Sequence, residues 1–179
     1  MLVLGDSISA AYGMSLERGW VSLLQEQLAQ THPQVRVINA SISGETTGGA
    51  LRRLPVLLTQ HEPNIVVIEL GGNDGLRGFP IKSFRKNLAD LALQSISAGA
   101  RVVIVQMEIP PNYGVRYTSS FRDSYPLVAR ETGSILGPFL LDGLATDPTL
   151  MQGDGIHPKP EAQQAMLENI MPALLDTLE

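Results

Sequence analysis

The apolar residues of this chain fall into short unbroken runs, separated by stretches in which they recur every three or four positions. Residues 1–4, 35–39, 65–70 and 101–107 are rich in Val, Ile and Leu without strict alternation. That is the pattern of strands covered on both faces, as in a parallel sheet. Residues 135–141 predict a fifth strand, weakened by Gly137 and Pro138, because proline cannot donate to a ladder and glycine packs nothing against its neighbours. Helical spacing appears in Trp20, Leu23, Leu24 and Leu28, in Leu88, Leu91, Ala92 and Ile96, and in Ala162, Ala165, Met166, Ile170, Ala173, Leu174 and Leu178. The last helix is expected to start at Pro160, whose fixed φ suits a first helical position, with Glu161 against the positive end of the dipole and a kink at Pro172. Strand, helix and strand in repetition predict right-handed crossovers and an α/β domain of three layers, α/β/α, doubly wound.

Length and charge narrow this picture. A chain of 179 residues, 44% hydrophobic and 17% charged, is expected to form a single domain over residues 1–179. At that size roughly 70% of the unfolded surface is buried, so a core needs no disulfide, and there is no cysteine. A net charge of −5 and no long basic run argue against nucleic acid as a partner. No apolar stretch approaches the ~20 residues that span a bilayer, so no stable membrane anchor is expected, and a monomer is. Met1 stands directly inside an apolar run, which predicts that upstream residues, such as a signal peptide, have been removed.

In an open parallel sheet, ligands bind beyond the carboxyl ends of the strands. The residues there are Gly5-Asp6-Ser7, Ser41-Ile42-Ser43-Gly44 and Gly71-Gly72-Asn73-Asp74, and near the C-terminus Asp154 and His157 lie in a loop before Pro158. A serine at a strand end, a histidine and a carboxylate outline a nucleophilic triad: Ser7 as nucleophile, His157 as base, Asp154 to orient it. Attack on an acyl carbonyl creates an oxyanion, for which the backbone N–H of Ser7, that of Gly44 and the Asn73 side-chain amide are the candidate donors. Taken singly, Ser7 reads as a helix cap and Asp154 with His157 as a surface turn; it is their combination that points to chemistry. Asp6 and Asp74 are expected to lock loops, His32 and His61 to sit in solvent at loop or helix ends, and Trp20 to pack in the core. The three histidines show no metal-ligand spacing, and no phosphate-cradling glycine pattern occurs.

Gly5-Asp6-Ser7, Gly44, Gly72-Asn73-Asp74 and Asp154-x-x-His157 resemble, in order and spacing, the four blocks of the SGNH (GDSL) hydrolase superfamily. The stretches NASISGET, ELGGNDGLRG, PPNYGVRY and MQGDGIHP resemble its bacterial subfamily of multifunctional acyl-CoA thioesterases, lysophospholipases and arylesterases. The resemblance implies a flavodoxin-like sheet of five parallel strands and hydrolysis of small-molecule acyl esters and thioesters, with no metal or organic cofactor. It implies the same triad and oxyanion hole, and export to the periplasm. It further implies a mobile substrate-binding loop at residues 75–80, with Leu76 and Phe79 against the acyl chain, and an opposite wall at residues 108–117 that includes Ile109. Two other readings make different predictions. A carbohydrate acetyl esterase of the same superfamily would prefer short polar acyl donors, and a non-catalytic binding module on a flavodoxin-like scaffold would hydrolyse none.

Overall fold

The computed structural model describes residues 1–178. Strands β1 (Leu2–Gly5), β2 (Ile38–Asn39), β3 (Ile65–Glu69), β4 (Arg101–Val105) and β5 (Ile135–Gly137) pair in parallel in the order β2-β1-β3-β4-β5. This is the flavodoxin-like order, in which the direction of winding reverses beside β1 and opens a crevice between the ends of β1 and β3. Helices α1 (Trp20–Thr31) and α7 (Gln163–Leu175) cover one face of the sheet, and α2 (Thr47–His61), α4 (Ile81–Ser97) and α6 (Ser124–Thr132) the other. Two short helices, α3 (Gly72–Leu76) and α5 (Val115–Arg122), lie beyond the carboxyl ends of the strands they follow. Among the described residues no helix is long and apolar enough to cross a membrane.

The three central strands each feed both layers. Leu2, Leu4, Val66, Ile68, Val102 and Ile104 pack with Leu54, Leu88 and Leu91, while Val3, Val67, Val103 and Val105 face Trp20, Leu24, Leu28, Met166 and Ile170. Two apolar faces explain why the strands read as continuous apolar runs.

The strands are shorter than expected, for reasons visible in their hydrogen bonds. β2 is an edge strand of two residues: the Ile38 N–H donates to the Met1 carbonyl and the Ala40 N–H to the Val3 carbonyl, both at 2.9 Å, while the Val37 N–H faces the open edge and donates to Gln25 Oε1 at 2.7 Å. β5 stops at Gly137, since Pro138 has no N–H, and Phe139–Leu141 turn away from the sheet. The last helix begins as a 3-10 turn at Pro160–Ala162 before α7, and α7 continues through Pro172 to Leu175. Ile96, expected on an apolar stripe, is 37% exposed at the end of α4. Helix α2 was masked in the sequence by Gly48, Gly49 and Pro55. It is started by Thr46, whose side chain accepts the Gly49 N–H at 3.1 Å, a favoured cap interaction.

Candidate active site

Directly after β1 the chain folds into a tight turn. Asp6 Oδ1 accepts the Ile8 N–H at 3.0 Å, and the Ala10 N–H donates to the Asp6 carbonyl at 2.9 Å. Asp6 is thereby buried, and Ser7 is presented at the mouth of a cleft. The histidine arrives from the far end of the chain. The loop before α7 is pinned by an antiparallel bridge between Met151 and Pro158, and by the Gln152 N–H to the His157 carbonyl at 2.7 Å. Gln152 Nε2 also donates to the Tyr12 carbonyl at 2.8 Å, tying this loop to the serine turn. Neither Gln152 nor Tyr12, whose ring centroid lies 4.3 Å from that of His157, stood out in the sequence.

Ser7 Oγ lies 2.8 Å from His157 Nε2, and His157 Nδ1 lies 2.6 Å from Asp154 Oδ2. A carboxylate only accepts, so Nδ1 carries the proton and Nε2 is left to accept from the Ser7 hydroxyl. Desolvation works against the Asp154 charge. The backbone N–H of His157 (3.0 Å), the His157 ring and the Ile156 N–H (2.9 Å) outweigh it, holding this carboxyl at about 2. It therefore stays ionised wherever an imidazole can act as a base.

Of the three candidate oxyanion donors, Ser7 and Asn73 line the cleft, and Gly44 is not among its lining residues. Asn73 Nδ2 donates one hydrogen to Asp6 Oδ2 at 3.1 Å, which orients the amide and leaves its second N–H unused. Gly44 has φ +78°, the left-handed region open to glycine, and its carbonyl accepts from Arg77 Nη2 at 3.0 Å. Among the described residues, the backbone N–H groups of Ser7 and Gly44 donate to no other group. Burial pushes the Asp6 carboxyl up to about 6, while the Ile8 N–H, the His157 ring and Asn73 pull it back. Asp74 accepts from the Thr47 N–H and hydroxyl at 2.9 and 2.6 Å, locking the start of α2 to α3. Both aspartates thus hold loops. His32 closes α1 and His61 ends α2, away from this rim, and Trp20 is fully buried.

The cleft measures about 400 Å³, within the usual range for small ligands. Leu76 and Ile109 line it, as the sequence suggested, and so do Met107, Phe139, Leu141 and Ile156. These last were legible in principle, because all but Ile156 follow the ends of β4 and β5. Phe79 is a correction. It is 40% exposed and does not line the cleft, and its carbonyl accepts the Tyr117 hydroxyl at 2.7 Å. The loop carrying it is held at three points, by Tyr113 Oη to the Leu76 carbonyl (2.8 Å), by Tyr117 and by Arg77. Among the described residues no group of three or more His, Asp or Glu side chains is placed to hold a metal ion.

Residues 3–165 match the GDSL-like Lipase/Acylhydrolase family. The chain is 49% identical over 178 residues to an arylesterase of Vibrio mimicus, covering 99% of this chain and 89% of that one. It is 43% identical to thioesterase 1/protease 1/lysophospholipase L1 of Escherichia coli K12, with 91% and 77% covered. The crystal structure of TesA superimposes with a TM-score of 0.96 at 48% identity, covering 98% of both chains.

Proposed function

The chain belongs to the GDSL-like Lipase/Acylhydrolase family, and from that premise we propose that it hydrolyses acyl esters and thioesters through an acyl-enzyme on Ser7. The observation that carries this is the unbroken hydrogen-bonded line from Asp154 through His157 to Ser7, ending at an apolar cleft. His157 Nε2 takes the Ser7 proton as Oγ attacks the acyl carbonyl. The developing oxyanion is received by the N–H groups of Ser7 and Gly44 and by the second N–H of Asn73. The imidazolium then gives its proton to the departing alcohol or thiol. In the second half, water attacks the acyl-enzyme while His157 accepts its proton; His157 then returns that proton to Ser7 Oγ as the acyl–Oγ bond breaks, and the free carboxylic acid leaves. Arylesters, acyl-CoA thioesters and lysophospholipids all present such a carbonyl on an apolar acyl chain. The walls formed by Leu76, Ile109, Phe139 and Leu141 favour acyl groups longer than acetyl. Resemblance to the multifunctional subfamily supports a periplasmic or secreted monomer, which release by osmotic shock and sedimentation as a single chain would test.

The decisive assay is hydrolysis of a p-nitrophenyl ester series and of palmitoyl-CoA by the wild type beside Ser7→Ala. Rates that rise from acetyl to octanoyl, with kcat at least about 10⁴-fold lower in the variant, are expected. A profile that falls from acetyl would favour the carbohydrate acetyl esterase. Inactivity of the wild type on every acyl donor would overturn the hydrolase reading.

A further inference from the structure

The turn carrying Ser7 stands on a buried carboxyl group that the chemistry above does not use. Glu69 is the last residue of β3, paired across the ladder with Gly5 and 1% exposed. Its Oε2 accepts the Ser9 hydroxyl at 2.6 Å and lies 3.4 Å from the Asp6 N. Ser9 Oγ in turn accepts the Trp20 indole N–H at 3.2 Å. A Cβ on Gly5 would fall 2.7 Å from that same Oε2, so the glycine ahead of Asp6 leaves the space this carboxyl occupies. The residues on both sides of the nucleophile, Asp6 before it and Ser9 after it, thus rest on one side-chain oxygen.

The other oxygen is unusual. Glu69 Oε1 is buried without a hydrogen-bond partner. The residue borders a void of about 20 Å³ shared with Ile8, Gln106 and Phe139, room for roughly one water. Among the described residues Glu69 makes no ion pair. The titratable groups acting on or through it are Asp6 in the serine turn, with Asp74 of α3 and His157 beyond it, and Tyr125 of α6. None is a cation in contact with it. An anion with one bare oxygen, beside a second carboxyl and out of water, is far more costly than a neutral acid in the same place. Burial first, and then the Asp6 charge, drive this carboxyl well above the ordinary range.

We propose that Glu69 is a positioning residue that works as an uncharged acid. It holds the nucleophile turn by hydrogen bonds and leaves the negative charge of the pair on Asp6, where it anchors the Asn73 amide. The inference rests on Ser7 being the nucleophile. Its test compares Glu69→Gln, Glu69→Leu and Ser9→Ala in ester hydrolysis, with infrared difference spectra of wild type and Glu69→Gln at neutral pH. A loosened turn misplaces Ser7, so Glu69→Leu and Ser9→Ala are expected to lose roughly ten- to hundredfold in kcat with KM within about twofold. The isosteric neutral amide of Glu69→Gln should restore most of that loss. The wild type should show a protonated-carboxyl stretch that Glu69→Gln lacks. If Glu69→Leu does not fold, Ser9→Ala carries the kinetic comparison. Unchanged kcat in Ser9→Ala would overturn the positioning role. Glu69→Gln falling as far as Glu69→Leu, or the absence of the protonated stretch, would overturn the uncharged acid. Full activity in Ser7→Ala would instead remove the nucleophile reading and leave the infrared result standing.

Discussion

Asp154 shows how a carboxylate can be strongly held while its side chain is still 41% exposed. Its folded pKa of about 2 lies below the ordinary 3.8, so the charged form is favoured by folding. That contribution is complete above the unfolded pKa and is lost as the pH falls through 4 towards 2. Solvent screening keeps it modest. Asp154→Asn should therefore lower the melting temperature relative to wild type at pH 6 and not at pH 2. It should also reduce kcat by as much as about 10⁴-fold, through loss of the tautomer that leaves Nε2 free; melting curves and ester hydrolysis across pH check both. At this scale the sequence reveals residues whose type is itself chemical, such as Ser7, His157, Asp154 and Asn73. Glu69 was visible only as a lone charge in the run IVVIEL. That run reads as strand, and nothing local says that the acid turns under the loop of a neighbouring strand.

Between elements, the wall of the cleft that bears Leu76 depends on two tyrosines from the segment after β4. Their hydroxyls hold the carbonyls of Leu76 and Phe79, and each such bond contributes about 1 kcal/mol net. Removing both in Tyr113→Phe/Tyr117→Phe should leave hydrolysis of acetyl esters nearly unchanged and raise KM for octanoyl esters roughly five- to tenfold, since only the longer chain needs that wall. Steady-state kinetics on the two esters decides it. The same scale explains the partial legibility of the fold. Apolar runs and stripes identify β1, β3, β4, α1, α4 and α7, because burial writes those patterns directly. Helix α2 hides because its glycines and Pro55 carry breaker signals that its cap and packing override, and β2 is short because only Ile38 and Asn39 of its apolar run lie in register beside β1.

The molecule as a whole is two apolar layers divided by one sheet, each centred on its own set of helices. Leu88 and Ile170, both fully buried, belong to opposite layers. Leu88→Ala and Ile170→Ala should each cost about 2–5 kcal/mol. With the sheet between them, the double variant should match the sum within about 0.5 kcal/mol. Denaturant melts measure this, and coupling well beyond that value would mean that the layers do not act separately.

Ser7 and His157 are brought together across 150 positions of sequence, the one supplied by the first strand and the other by the loop before the last helix. On the proposed chemistry, a polypeptide that ends anywhere between the two carries the serine without its base. Acyl hydrolysis would thus report that the first strand and the loop before the last helix have come together.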